Sequence, residues 1–463
     1  MLFSSIPFLY FFFPALLALY FIAPKGLKNA VLLLASVVFY IWGEPIYILL
    51  MLGSTLLGYI FGLLIERFRG KKLSKIFMIA SVVTLIGFLG LFKYADFFIG
   101  IANGLGADIG MLKLALPIGI SFYTFQILSY TIDVYRGTAE VAKNPIDFAA
   151  YVTFFPQLVA GPIVRYTDVA RELKKREHSF EGVAIGASRF TIGLAKKILI
   201  ANVLAEVCSI YRTSTAHTAL FSWVYAIAYM LHIYFDFSGY SDMAIGLGRI
   251  FGFKFPENFN YPYIAASITD FWRRWHMTLS SWFRDYVYIP LGGNRVKPWR
   301  NAFNILIVWA LTGFWHGAGF TFLAWGLYFA LFLLIEKFLL KDFLKKLPRV
   351  LTHTYALIIV LFSWVLFDAE SISAALSTMG NMLFINTPAF DATALYYLRS
   401  YAVPLIIGII GCTPLPKLIA SKFSARFEKT AIIIKPIFVV VLLMLTTAYL
   451  VDGSFNPFIY FRF

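Results

Sequence analysis

From Ile305 to Ile335 the chain reads ILIVWALTGFWHGAGFTFLAWGLYFALFLLI, an apolar run with no Asp, Glu, Lys or Arg, in which His316 stands among Gly313, Gly317 and Gly319. Such a run must be buried in a core or in lipid, and roughly 20 apolar residues suffice to cross a bilayer. Comparable stretches recur along the chain, beginning with FSSIPFLYFFFPALLALYFIAP. Of the 463 residues 60% are hydrophobic and only 14% charged, a balance far from that of soluble domains. The expected fold class is an all-α polytopic membrane protein. Hydropathy places about 11 or 12 spans, near residues 6–23, 29–50, 52–65, 76–95, 114–135, 182–211, 219–247, 302–335 as two arms, 354–367, 398–416 and 432–451. The first stretch lacks a preceding basic residue and a following small-residue cleavage site, so it reads as a retained span. Cys208 and Cys412 lie in or beside apolar segments and suggest neither a disulfide framework nor a metal site.

A net charge of +16 raises the question of nucleic acid, but in a multispanning chain positive charge first reports topology. Most of the 40 Lys and Arg residues fall in segments 23–29, 66–75, 136–146, 165–178, 244–300, 337–353 and 417–435. The segments that then fall outside, 93–113, 212–219 and 368–399, hold only Lys93, Lys113, Arg212 and Arg399. The N-terminus is therefore expected outside, with no nucleic-acid partner and the lipid bilayer as the surroundings. RYTDVARELKKREHSFEG, within the 165–178 segment and just beyond it, reads as an amphipathic piece at the inner surface. Lys196 and Lys197 fall within an apolar segment and either snorkel or face a protein interior.

Residues 262–300, PYIAASITDFWRRWHMTLSSWFRDYVYIPLGGNRVKPWR, are aromatic, basic and too interrupted to span, which suits an interfacial or re-entrant layer. The run around His316 poses a length problem, since residues 302–335 as one helix would measure about 51 Å. A hairpin of two arms of roughly 15 residues, each about 22 Å, resolves it and submerges the turn in a core of about 30 Å. Backbone that leaves the helix at that depth must be buried in protein or line a water-filled cavity. His316 is thus expected near the floor of an outward depression, and His276 nearer the cytoplasm. His232 and His353 read as structural, and His178 and His217 as loop residues.

No HExxH, CxxC or GxSxG occurs. Asp236, Asp242, Asp270 and Asp285 show no metal-like spacing, so no metal is expected. General-base catalysis needs only one neutral imidazole within reach of a hydroxyl. A single buried histidine bonded to a helix carbonyl is the plainer alternative for His316.

Five segments in order carry a resemblance: PIGISFYTFQILSYTIDVYRG (117–137), FFPQLVAGPIVRY (154–166), YFDFSGYSDMAIGLGRIFGFKFPENFNYPY (234–263), FWRRWHMTLSSWFRDYVYIPLGGNR (271–295) and TGFWHGAGFTFLAWG (312–326). Together they resemble the membrane-bound O-acyltransferase (MBOAT) family, in its bacterial alginate O-acetylation branch. The terminal NPFIYFRF resembles the ending of that branch. The resemblance implies one MBOAT domain over residues 1–463, clearest over 117–326, with re-entrant helices and an outward-facing funnel. It implies an O-acyltransferase of the bacterial inner membrane. The enzyme would pass an acetyl group from cytoplasmic acetyl-CoA to a hydroxyl of an extracytoplasmic polysaccharide such as alginate, or to a partner acetyltransferase. Peptidoglycan or cellulose O-acetylation and teichoic acid D-alanylation are the alternatives within the family. By the same resemblance His316 and His276 are the catalytic residues. Trp315, backbone amides around Gly317 to Gly319, Arg273 and Arg274 are candidate oxyanion or donor contacts. Asp236 and Asp242 read as buried carboxylates paired with Arg273, Arg274 or Arg284. Gln126, Tyr130, Asp133, Gln157 and Arg165 read as cavity lining. A transporter or flippase, the competing class, would show repeat symmetry with paired broken helices, and none is visible.

Overall fold

Helices account for the regular structure in the computed structural model, which describes residues 1–215 and 217–453, and no β-strand occurs among the described residues. The terminal NPFIYFRF lies outside the described residues. Among the described residues six helices are long and apolar enough to cross a membrane: Ile48–Arg67, Lys72–Gly104, Ala219–Ile250, Phe320–Leu344, Arg349–Asp368 and Glu428–Asp452. A seventh arises if Ala392–Ser400 and Ala402–Gly411, bent by 54°, count as one span. The remaining expected spans exist as helices that are short or less apolar, such as Phe8–Ile22, Lys28–Ile41 and Ile120–Arg136. Gly43 and Pro45 end Lys28–Ile41 early, so residues 48–50 belong to the following helix instead of the expected 29–50 span.

In chain order, α1 is Phe8–Ile22, α2 Lys28–Ile41, α3 Ile48–Arg67, α4 Lys72–Gly104, α5 Ile120–Arg136, α6 Tyr166–Lys174, α7 Phe180–Ala195, α8 Asn202–Thr213 and α9 Ala219–Ile250. The short helices Ile268–Trp272 and Met277–Phe283 are α10 and α11, Pro298–His316 is α12, Phe320–Leu344 α13, and Arg349–Asp368 α14. The chain divides into two compact units, residues 1–190 with 241–256, and residues 191–240 with 257–463.

In the first unit, small residues four apart bring α3 and α5 into close contact. A Cβ at Gly58 would stand 2.2 Å from the Ile127 side chain, and one at Gly62 2.5 Å from the Tyr130 hydroxyl. Helices in lipid gain little from apolar burial against each other, so close approach at small residues supplies the attraction. The amphipathic α6 forms as expected, with Tyr166, Val169 and Leu173 buried along one face. That face meets protein: the Tyr166 ring lies 5.1 Å from Tyr130 and 6.3 Å from Phe148.

The second unit contains a π turn, Lys196–Ala201, between α7 and α8. Ala201 O, at the end of that turn, accepts from His232 Nδ1–H at 2.9 Å, so His232 is tied to the backbone. Nearby, Gly239 lets α9 approach: a Cβ there would stand 2.7 Å from Gly193 O and 3.2 Å from Lys197 N. One turn earlier on α9, Asp236 pairs with Lys197 Nζ at 2.6 Å, with both side chains almost fully buried. Lys197 therefore faces protein and does not snorkel. Asp236 and Asp242 are paired, but not with the expected arginines, since Asp242 in the first unit binds Arg189 at 2.9 Å. Both partners sit on the helix packed alongside, within reach without a long loop.

A buried pair gains little over a well-packed apolar one, yet removing one member strands a charge at a cost of about 3–5 kcal/mol. Asp236→Ala is expected to lower the melting temperature in detergent sharply, and the double variant Lys197→Met, Asp236→Leu to recover most of it. Thermal-aggregation size exclusion reads both, and equal losses in the two variants would contradict this account.

Candidate active site

His316 ends α12, and a two-arm hairpin forms there as the run length requires. The arms touch backbone to backbone. A Cβ at Gly326 would lie 2.2 Å from Trp309 O, and one at Gly313 2.3 Å from Phe322 O. At the turn Gly319 N–H donates to Gly317 O at 3.0 Å, while a Cβ on Gly317 would enter the Phe322 ring at 2.2 Å. Gly317 and Gly319 have φ of −167° and −162°, extended values open to any residue. Space, and not left-handed backbone, therefore demands glycine at Gly313, Gly317 and Gly326. The arms are longer than the expected 15 residues: α12 has 19 residues, about 28 Å, and α13 has 25, about 37 Å. The depth of the turn accordingly no longer follows from the length of its arms.

His316 is 8% exposed, and the ring centroids of Trp315, Trp325 and Phe367 lie 5.0, 5.1 and 5.3 Å from its imidazole, all edge-on. Phe367 is fixed from the next residue, because Asp368 binds Arg212 and accepts the Tyr225 hydroxyl at 2.6 Å. The His276 ring lies 5.9 Å from the Trp315 indole. The two family-motif histidines thus both pack against one tryptophan.

The segment holding His276 is buried to a degree that an interfacial layer would not need, since Trp272, Trp275 and His276 are all inside. Glu336 of α13 explains its anchorage. Its carboxylate accepts from Ile268 N–H, from Thr269 N–H at 3.0 Å and from the Thr269 hydroxyl at 2.8 Å, capping α10. Trp272 then packs on Trp309 at 4.5 Å and Trp325 at 5.7 Å. His276 follows in left-handed conformation (φ 42°, ψ 53°), unusual for a residue with a Cβ and a mark of local constraint.

Asn258 fixes the protonation of this imidazole. Its Oδ1 accepts the Thr278 hydroxyl at 2.8 Å and the Thr278 backbone N–H at 3.4 Å, which identifies the atom as oxygen. His276 Nδ1, 3.0 Å from the same oxygen, must therefore donate. Nε2 is left with its lone pair, fully buried and without a partner among the described residues. Burial first, and the neighbouring His316 second, hold the pKa of His276 well below the usual imidazole value. A neutral base with a defined tautomer and an unused acceptor can receive an O–H or N–H from a bound molecule.

A cavity of about 770 Å³ opens beside α10, walled by Trp272, Trp309 and Thr312 and carrying Arg273, Lys337 and Lys341 among its lining. Among the described residues Arg273 and Lys341 have no carboxylate partner. Arg274, named with Arg273 as a donor contact, is committed to Asp270 at 2.9 Å. Arg284 is committed to Asp285 at 2.7 Å. Gln126, Tyr130, Asp133, Gln157 and Arg165 all belong to the first unit. There Tyr130 Oη accepts Ala142 N–H at 3.1 Å, and Arg165 N–H donates to Asp168 at 2.9 Å. Among the described residues no group of three or more His, Cys, Asp and Glu could hold a metal ion. Sequence reasoning passed over Asn258, Glu336 and Asp368. Glu336 carried a signal, as the carboxylate that ends the longest uncharged run.

Residues 136–378 match the model of MBOAT, the membrane-bound O-acyltransferase family. The "Probable alginate O-acetylase AlgI" of Pseudomonas aeruginosa is 43% identical over 81% of this chain and 73% of that protein. That of Azotobacter vinelandii is 37% identical over the full length of both. The chain belongs to the membrane-bound O-acyltransferase family. A "Peptidoglycan O-acetyltransferase" of Helicobacter pylori is 34% identical over 83% of this chain and 80% of that protein. This MBOAT protein is accordingly a membrane enzyme that transfers acyl groups to oxygen, and its matched segment includes both histidines.

Because the Gly326 contact sets the spacing of the arms, Gly326→Val should force them apart and cost about 1–3 kcal/mol as an overpacked core does. Its melting temperature in detergent should fall. Gly87→Ala, at a position with nothing within 4 Å, should leave it unchanged.

Proposed function

We propose that this MBOAT protein moves an acetyl group from a cytoplasmic thioester, acetyl-CoA, to a hydroxyl of an extracytoplasmic polysaccharide of the alginate type, directly or through a partner acetyltransferase. The observation that carries the proposal is the pair His276 and His316, both buried against Trp315, one of them with its tautomer set and its acceptor unused. The similarity to alginate O-acetylases supports the acceptor class, and peptidoglycan acetylation is the second reading, favoured by the Helicobacter relative. The chain works as one MBOAT domain in the inner membrane with its N-terminus outside. The charge distribution supports that orientation, and α7 and α9 each contribute residues to both units.

In this reading His316 takes the proton of the acceptor hydroxyl as its oxygen attacks the acetyl carbonyl. The tetrahedral intermediate collapses with cleavage of the carbon–sulfur bond, and the proton passes from His316 to the departing thiolate. Protons balance without an external base. Trp315 is the donor nearest the oxyanion in sequence, since the Gly317 and Gly319 amides are engaged by Gly313 O and Gly317 O within the turn. His276 cannot donate from Nε2. It accepts instead, orienting the thioester through an N–H of its amide-containing arm. The basic cavity beside Trp272 suits the phosphates at the far end of such a donor, with Arg273 and Lys341 as the uncommitted cations.

The roles separate kinetically. In membrane vesicles given acetyl-CoA and polymer, His316→Ala should lower kcat by about 10²–10⁴-fold, the share of a general base. His276→Ala should chiefly raise the donor KM. Unchanged acetylation in a normally inserted His316→Ala protein would sink the catalytic assignment.

Asn258→Asp provides a finer test. A carboxylate against Nδ1–H favours the imidazolium and raises the pKa of His276. The Nε2 lone pair is then lost up to a higher pH, and the acid limb of kcat/KM for the donor should move upward. A pH profile identical to the parent enzyme would show that His276 does not meet the donor as a neutral acceptor.

A further inference from the structure

At the end of α1, within the first unit, a second cluster lies outside the acyl-transfer chemistry. Lys28 Nζ stands 4.4 Å from the Tyr20 ring centroid and 5.3 Å from that of Phe21. The Arg176 guanidinium lies 5.8 Å from Tyr20 and 4.7 Å from Phe253. His178 Nε2 is 2.9 Å from Tyr20 Oη, and that hydroxyl gives its own proton to Phe251 O at 2.9 Å, so His178 is the donor. Three basic side chains therefore converge on one tyrosine.

Nothing acidic answers them directly. Among the described residues no carboxylate forms an ion pair with Lys28, Arg176 or His178. The carboxylate closest in the bonding chain, Asp147, is held by Asn29 Nδ2, while Asn29 Oδ1 accepts from Arg176 Nη2. Arg176 Nη1 is buried with no partner, an N–H donor left unsatisfied at appreciable cost. The cations also oppose one another. His178 is held below its ordinary pKa by burial first and then by Lys28 and Arg176, which leaves the repulsion between those two permanent cations. A bound anion would satisfy the orphaned N–H and relieve the repulsion together.

The surroundings indicate what carries that anion. The cluster sits where an apolar helix ends, beside Leu19, Phe21, Ile22 and Leu27, which are 63%, 43%, 82% and 57% exposed. Cations directly flanked by exposed apolar surface match an amphiphile with an anionic head and hydrocarbon tails. A soluble anion would use only the cations. We propose that Lys28 and Arg176, with His178 holding Tyr20 between them, form a binding site for the phosphate of an anionic membrane lipid, whose acyl chains lie along Leu19 and Ile22.

The site is tested on the full-length protein purified in uncharged detergent, by native mass spectrometry of retained lipid and by melting temperature. Phosphatidylglycerol should be retained and should raise the melting temperature, whereas phosphatidylcholine should do neither. Lys28→Gln with Arg176→Gln should weaken phosphatidylglycerol retention about thirtyfold, roughly fivefold for each cation removed. Its melting temperature without lipid should stay level or rise, because repulsion is relieved. Should the double variant fail to fold, Lys28→Gln alone should still reduce retention, about fivefold. Undiminished retention in either folded variant, or equal stabilisation by phosphatidylcholine, would overturn the proposal. Full stabilisation by inorganic phosphate or coenzyme A without lipid would overturn the assignment to a lipid and leave a soluble phosphate as the ligand.

Discussion

Backbone contact between α12 and α13 is the constraint on which the site depends. At Gly313 and Gly326 the arms approach until a single methyl group would collide with a carbonyl oxygen. That spacing brings Trp325 of the second arm against His316 at the end of the first. It also presents Trp309 and Trp325 together as the surface on which Trp272 rests. Glu336, further along the same arm, then caps α10 and fixes the start of the segment that ends at His276. Both imidazoles are thereby referred to one rigid hairpin, the kind of preorganisation that acyl transfer exploits.

Much of this was legible in the sequence, for identifiable reasons. Run length and an absence of charge from Ile305 to Ile335 force a hairpin, and glycines grouped at its middle mark the turn. Periodic apolar positions at Tyr166, Val169 and Leu173 give α6, although whether that face meets lipid or protein depends on Tyr130 and Phe148, far away in the chain. The number of spans was less legible. Pro, Gly and π turns divide apolar stretches into pieces, and hydropathy does not register a change of backbone direction. The ion-pair partners were not legible at all. Asp236 and Asp242 announce that they need cations, but the choice of Lys197 and Arg189 follows from which helix lies alongside.

Of the site itself, the histidines could be singled out because a polar ring in an apolar run needs a task or a partner. What a sequence cannot carry is the state of the ring. Asn258 is one asparagine in an aromatic loop until Thr278 is seen to donate to its side-chain oxygen. Only then is His276 obliged to carry its proton on Nδ1. The same distinction separates Arg273 from Arg274, adjacent in sequence, since Asp270 commits one of them and leaves the other at the cavity.

Charge in this protein is balanced in proportion to its burial. Lys197 and Asp236, almost wholly buried, are paired at 2.6 Å, and Arg212 is matched by a buried Asp368. Lone charges in low dielectric are too costly to keep, and pairing or neutrality is the usual resolution. His276 follows the second course, staying neutral. Arg176 follows neither, because a guanidinium does not deprotonate at accessible pH and the side chain to which it donates is a neutral amide. A permanently charged group with a buried, unanswered N–H thus stands apart from the rest of the structure's electrostatics. An anion from the surrounding medium removes that exception, and for a chain immersed in lipid the most abundant anion at the end of an apolar helix is a headgroup phosphate.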